Sequence, residues 1–146
     1  MIKIEYPEYK YRIKTESEQE WIFDPVRKQW VILSPEEWVR QNFIQYLALV
    51  KKYSASLMAI EKEIRLGELS KRCDIVIYNK EAQPQMIVEC KATHIELNSS
   101  VLDQILRYNM SIPVQYLIIT NGHYCFGFER AQGMLQPLSE IPESVC

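Results

Sequence analysis

Cys73-Asp74-Ile75-Val76-Ile77-Tyr78 (CDIVIY) and Gln85-Met86-Ile87-Val88-Glu89-Cys90-Lys91 (QMIVECK) are two short apolar runs separated by the turn-forming stretch Asn79 to Pro84. Both are rich in β-branched residues and read as strands. A connection this short makes them antiparallel neighbours, so the start of the first lies beside the end of the second. Alternate strand residues share a face, which points Glu89 and Lys91 the same way and turns Cys90 to the other side. Asp74, which lies 15 positions before Glu89 and 17 before Lys91, falls next to them. Two carboxylates and one amine therefore meet at the edge of an otherwise apolar sheet. Two readings of this cluster stand. A Glu-x-Lys tripeptide is common by chance, and the group is then an ion pair at a strand end. Alternatively, the two acids are hard oxygen ligands for Mg²⁺ or Mn²⁺, with the amine placed to orient a water or steady negative charge.

Outward from this pair, Leu57 to Leu66 reads as a preceding strand with a turn at Gly67-Glu68. A helix is expected from about Ser99 to Met110. Beyond Pro113, Val114 to Thr120 (VQYLIIT) is apolar enough for a sheet centre. Asn121-Gly122 then signals a hairpin into Tyr124 to Phe128. Upstream, Ser34-Pro35-Glu36-Glu37 has the residues of a capping box, with Ser34 as N-cap and Glu37 as its acid. Val39, Phe43, Tyr46, Leu47 and Val50 continue at helical spacing, predicting a helix to about Lys52. Residues 1–33 read as an aromatic β-hairpin: Tyr9 to Lys14 alternates, and Trp21 to Phe23 and Trp30 to Leu33 flank a turn at Asp24-Pro25. Lys14 to Glu20 is expected to be a solvated loop. The order predicts an α/β sandwich around a mixed sheet. We divide the chain into a hairpin extension (1–33), a core (34–128) and a C-terminal tail (129–146), all within one domain of ordinary size.

Composition narrows the classes. Cys73, Cys90, Cys125 and Cys146 form no CxxC pair and have no clustered histidine, which argues against structural zinc and against a disulfide framework. No run approaches the ~18 apolar residues of a membrane span, and the N-terminus lacks a signal-peptide core. A soluble cytoplasmic protein with no membrane partner is expected. The net charge of −2 weighs against broad non-specific affinity for nucleic acid, though positive charge at a metal-dependent site need only be local.

Five stretches taken together, Ser34 to Gln41 (SPEEWVRQ), Lys71 to Val76 (KRCDIV), Val88 to Ala92 (VECKA), Asp103 to Tyr108 (DQILRY) and Thr120 to Gly122 (TNG), resemble the N-terminal domain of type I restriction enzyme R subunits, most of all its small stand-alone version. They run in unbroken order over about residues 34–128. The resemblance implies a restriction-endonuclease-like fold of the PD-(D/E)xK nuclease type, a mixed sheet flanked by two helices. It further implies Mg²⁺-dependent cleavage of DNA, with Asp74, Glu89 and Lys91 as catalytic residues and the two acids as metal ligands. Gln104 and Tyr108 match the family's Q-x-x-x-Y motif, which implies that they too are catalytic residues, and their spacing puts them on one helix face. Without the family match, Tyr108 would read as the end of the apolar stripe Val101, Ile105, Tyr108. Glu37 is either an additional acid near the metal or, preferably, only the capping-box acid. Arg40, Lys71, Arg72 and Arg107 are candidate DNA contacts; a solvated basic turn is the alternative for Lys71 and Arg72. His94 and His123 read as surface residues. R subunits also carry an ATP-driven translocase, yet no GxxxxGK[ST] phosphate loop occurs here. The expected activity is therefore that of a motorless endonuclease, or else of a non-catalytic DNA-binding or assembly module in a restriction complex. A third reading makes Trp21, Phe23 and Trp30 an interface, for instance in a homodimer.

Overall fold

The computed structural model of the chain describes residues 1–145. Cys146 lies outside the described residues. In chain order the elements are β1 (Ile2–Lys3), β2 (Ile13–Glu16), β3 (Gln19–Asp24), β4 (Gln29–Ile32), α1 (Pro35–Gln45), β5 (Met58–Leu66), β6 (Leu69–Tyr78), β7 (Pro84–Cys90), α2 (Ser99–Asn109), β8 (Tyr116–Thr120), β9 (Tyr124–Ala131) and β10 (Met134–Leu138). The large sheet has the order β1-β9-β8-β7-β6-β5, with β10 also on β9, and β2-β3-β4 form a small second sheet. Among the described residues only β7 and β8 of the large sheet run parallel, and α2 lies in the connection between them. The expected α/β architecture, a mixed sheet flanked by two helices with a hairpin-based N-terminal unit, is the one observed.

Alternation along the central strands builds two cores. Ile75, Ile77, Met86, Val88, Cys90 and Ile118 pack on one face against Val39, Phe43, Ile44 and Leu47 of the first helix. Val76, Ile87 and Leu117 face the other way, with Leu106 of α2 and with Ile112 and Val114 beyond it. Helices on both faces explain why these strands read as continuous apolar runs rather than as half-polar ones. Ser34 caps α1, its hydroxyl accepting from the Glu37 backbone N–H at 3.0 Å. The helix continues as one π-helical turn, Tyr46–Val50, and ends at Lys51, close to the expected limit.

Three expectations are corrected. Lys14 to Glu20 is not a loop: β2 and β3 pair through it, closed by a two-residue turn in which Ser17 and Glu18 have φ of 52° and 63°. Those positive angles match the twist of a tight hairpin, a match that backbone geometry sets and that polar side chains do not announce. The chain also makes three strands in this region instead of one hairpin, and its first residues leave it altogether, since β1 joins the large sheet on β9. Nor is 129–146 a simple tail. β9 runs on to Ala131, turns through Gln132-Gly133 and returns as β10. Ile141 is then buried in the α1-side core, and the Ser144 backbone N–H donates to Lys51 O at 2.9 Å.

Gly122, in the turn from β8 to β9, has φ +91°, and a Cβ there would sit 3.1 Å from Val39 Cγ2 on α1. Gly122→Ala is expected to cost roughly 1–3 kcal/mol, from the left-handed conformation and the contact together. Urea unfolding checks this, and an unchanged midpoint would show that the turn is not confined against α1.

Candidate active site

The β6–β7 ladder sets Ile75 opposite Val88, so the next positions bring Asp74 beside Glu89. Here the ladder gives way to a side chain: the Cys90 backbone N–H donates to Asp74 Oδ2 at 2.8 Å. Glu89 points toward α2, where its Oε1 is buried without any hydrogen-bond partner. Burial first, and the Asp74 charge second, push the Glu89 carboxyl up to about 8. The register thus brings two acids together where burial reduces their hydration. Lys91 follows directly, its backbone N–H donating to Thr120 O at 2.8 Å, which extends the β7–β8 pairing one residue past the strand. Glu89 and Lys91 line one cleft together with Gln104, Tyr108, Val101 and Ile105 of α2. The apolar stripe and the site-facing side of α2 are therefore the same face, and the two readings of Tyr108 merge.

The other side of Asp74 is held by buried charge. Arg40 donates to Asp74 Oδ1 at 2.8 Å and to Glu37 Oε1 at 2.6 Å, and only 5% of its side chain is exposed. It does not stand at the surface as a DNA contact would. Glu37 is also not the reciprocal half of a capping box. Its carboxylate turns inward and accepts from Arg27 Nη2 at 2.9 and 3.0 Å, from Gln41 Nε2 at 3.0 Å and from Arg40. An inward turn is favoured because three donors meet there, whereas the Ser34 N–H is already satisfied by Ile32 O. Glu36, the residue before Glu37 on α1, has its carboxyl pushed up, by burial and then by the Asp74 charge.

Arg27, Asp24 and Glu61 belong to this network and were not singled out from the sequence. Asp24, fully buried, accepts from the backbone N–H of Val26 and Arg27 and from Arg27 Nε, fixing the loop between β3 and β4. An Asp two residues before the loop centre does signal such a turn. That the neighbouring arginine reaches across to α1 is a tertiary fact. Glu61 adopts φ 52° on β5, and its carboxylate meets Arg27 at 3.1 Å and Arg40 at 3.4 Å.

The remaining candidates lie around the cleft. Lys71 Nζ sits 3.8 Å from the centre of the Tyr108 ring at the cleft mouth. Arg107 is exposed and shares a shallow depression with Ser100, Asp103 and Gln104. Arg72 is exposed, 3.5 Å from Glu61. His94 and His123 are at the surface. Asn121 has a structural duty: its side-chain N–H donates to Ile95 O at 2.8 Å, tying the β8–β9 turn to the segment that follows Lys91. Trp21, Phe23 and Trp30 are half-buried on the small sheet, where Arg12 and Lys14 cover the Phe23 and Trp30 rings.

Among the described residues no three Asp, Glu, His or Cys side chains converge as a metal cage. Two carboxylates suffice for Mg²⁺, which keeps several waters and takes further oxygens from phosphate. The unpartnered Glu89 Oε1 beside Asp74 fits such an ion, since a divalent cation would relieve both the desolvation and the repulsion.

This is an α/β domain built round a paired-acid cleft where the interior strands β6 and β7 stop pairing. The chain belongs to the family described as type I restriction enzyme R protein N terminus (HSDR_N), whose model matches residues 35–142. No curated protein matches it. The match runs from α1 past β10, so the small sheet that carries Arg27 lies outside it.

Because the folded protein holds a proton on Glu89 that the unfolded chain releases near 4.5, its stability falls as pH rises from about 4.5 to about 8 and levels off above. Glu89→Gln is expected to remove this slope. The difference between wild-type and variant melting curves from pH 5 to 9 measures it, and parallel curves would mean that Glu89 titrates normally.

Proposed function

We propose that the chain is a Mg²⁺-dependent endonuclease domain of the PD-(D/E)xK type acting on DNA phosphodiester bonds. The observation that carries this is the buried, unpartnered Glu89 oxygen held against Asp74, with the Lys91 side chain in the same cleft. Asp74 and Glu89 would hold the ion, which when bound polarises the scissile phosphate and acidifies a water. Lys91 orients the attacking water and offsets negative charge developing on the phosphate. Gln104, a neutral donor on the same wall, positions that water or a phosphate oxygen, and Tyr108 shapes the cleft and seats Lys71. Lys71 and Arg107, at the mouth and flank, are the cations free to meet the DNA backbone, while Arg72 adds charge at the β5–β6 edge. Arg40 and Glu37 act from behind the site. Membership of the R-subunit N-terminal family supports a nuclease-related role with DNA and complex partners.

A second reading, a DNA-binding or assembly module without catalysis, is favoured by the Arg40–Asp74 bond, which neutralises one acid with no ion at all. Calorimetry with Mn²⁺ and a plasmid-nicking assay separate the two. The wild type is expected to bind Mn²⁺ and to nick DNA. Lys91→Ala should lower the rate about 10²-fold or more while leaving ion binding in place, and Asp74→Ala should abolish both. A Lys91→Ala rate equal to wild type would sink the assignment, and absent Mn²⁺ binding at millimolar concentration would favour the module.

A further inference from the structure

Asp74 has two carboxylate oxygens, and both are engaged. Oδ2 accepts from the Cys90 backbone N–H, a bond fixed by the sheet. Oδ1 is the oxygen left to offer an incoming ligand, and Arg40 Nη2 occupies it at 2.8 Å. We infer that Arg40 is a positioning residue that serves as the resident counter-cation of the acid pair. It holds Asp74 in its ligating orientation while no divalent ion is bound, and it competes with that ion for Oδ1. This inference rests on the reading of Asp74 and Glu89 as the metal-binding pair.

Three features support a positioning role over a purely stabilising one. Arg40 Nε is buried without a partner, an arrangement that costs stability and that a hydrophobic replacement would avoid. Glu37 does not depend on Arg40 for its own satisfaction, because Arg27 and Gln41 supply three further hydrogen bonds. Arg40 is also held from behind: Asp24 fixes Arg27, Arg27 grips Glu37, and Glu37 bonds Arg40 Nη1, so the guanidinium is presented to Asp74 by the small N-terminal sheet. A cation mounted so firmly on Asp74 lowers the affinity of the pair for a second cation while keeping the Asp74 geometry ready for it.

The test is Mn²⁺ calorimetry, with thermal unfolding with and without Mn²⁺, on wild type, Arg40→Gln and Arg40→Lys. Arg40→Gln is expected to melt lower than wild type without the ion. It should bind Mn²⁺ about tenfold tighter, the effect of removing one partly screened unit charge, and gain more in melting temperature from the ion. Arg40→Lys, which keeps the charge, should stay within about twofold of the wild-type affinity. If Arg40→Gln is unfolded alone, millimolar Mn²⁺ is expected to restore its far-UV circular dichroism, and failure to do so overturns the inference. Equal or weaker Mn²⁺ binding by folded Arg40→Gln, or a Lys variant that behaves like Gln, also overturns it. Absence of Mn²⁺ binding by the wild type would instead defeat the metal-site reading itself.

Discussion

The register of β6 against β7 sets Asp74 and Glu89 side by side, and much else in the molecule deals with the consequence. Two acids side by side where β6 and β7 stop pairing lose hydration together and resist ionising together, which pushes the Glu89 carboxyl up to about 8. The strands cannot slide to relieve this, because a shift by one residue would turn Ile75, Ile77 and Val88 out of the α1-side core. The apolar packing on both faces of the sheet therefore holds the strain in place, and the charged residues around the pair are arranged to offset it.

That offset comes from two directions with different character. On the α1 side it is rigid: Arg40 bonds Asp74, and a chain of buried partners through Glu37 and Arg27 to Asp24 anchors it in the small sheet. On the α2 side it is open. Glu89 faces a cleft whose polar and cationic groups, Lys91, Gln104 and the Lys71 resting on Tyr108, sit at or near solvent. A closed wall of fixed charge behind and an accessible cleft in front is the layout that a site for an ion and a phosphate needs. It also gives the N-terminal sheet a function, since the Arg27 loop braces the wall.

The turn motifs serve the same end. Asn121 and Thr120 bind the β8–β9 turn internally and tie it to Ile95, so the segment after Lys91 is held by the neighbouring hairpin. Gly122 lets that turn approach Val39 on α1. A sequence feature read simply as a hairpin thus links the lysine-bearing segment, the helix of Arg40 and the sheet.

Where sequence was informative, the signal was periodic or local. Apolar, β-branched runs gave β6, β7 and β8, helical spacing gave the first helix, Ser34 marked its start, and strand periodicity set the faces, because these features depend on residues close in the chain. The same periodicity placed Glu89 and Lys91 on one face, and a short loop was enough to bring Asp74 to them. The polar hairpin of β2 and β3, the strand β10 and the addition of β1 to β9 were not legible, because their pairing is set by turn twist and by distant partners. Nor was the buried network. Arg27, Arg40, Glu37 and Glu61 carry the same charges as any surface residues, and only packing, by excluding water from around them, makes their pairing specific. The chain alone determined which acids meet; the tertiary structure decided which arginine holds Asp74 and which side stays open.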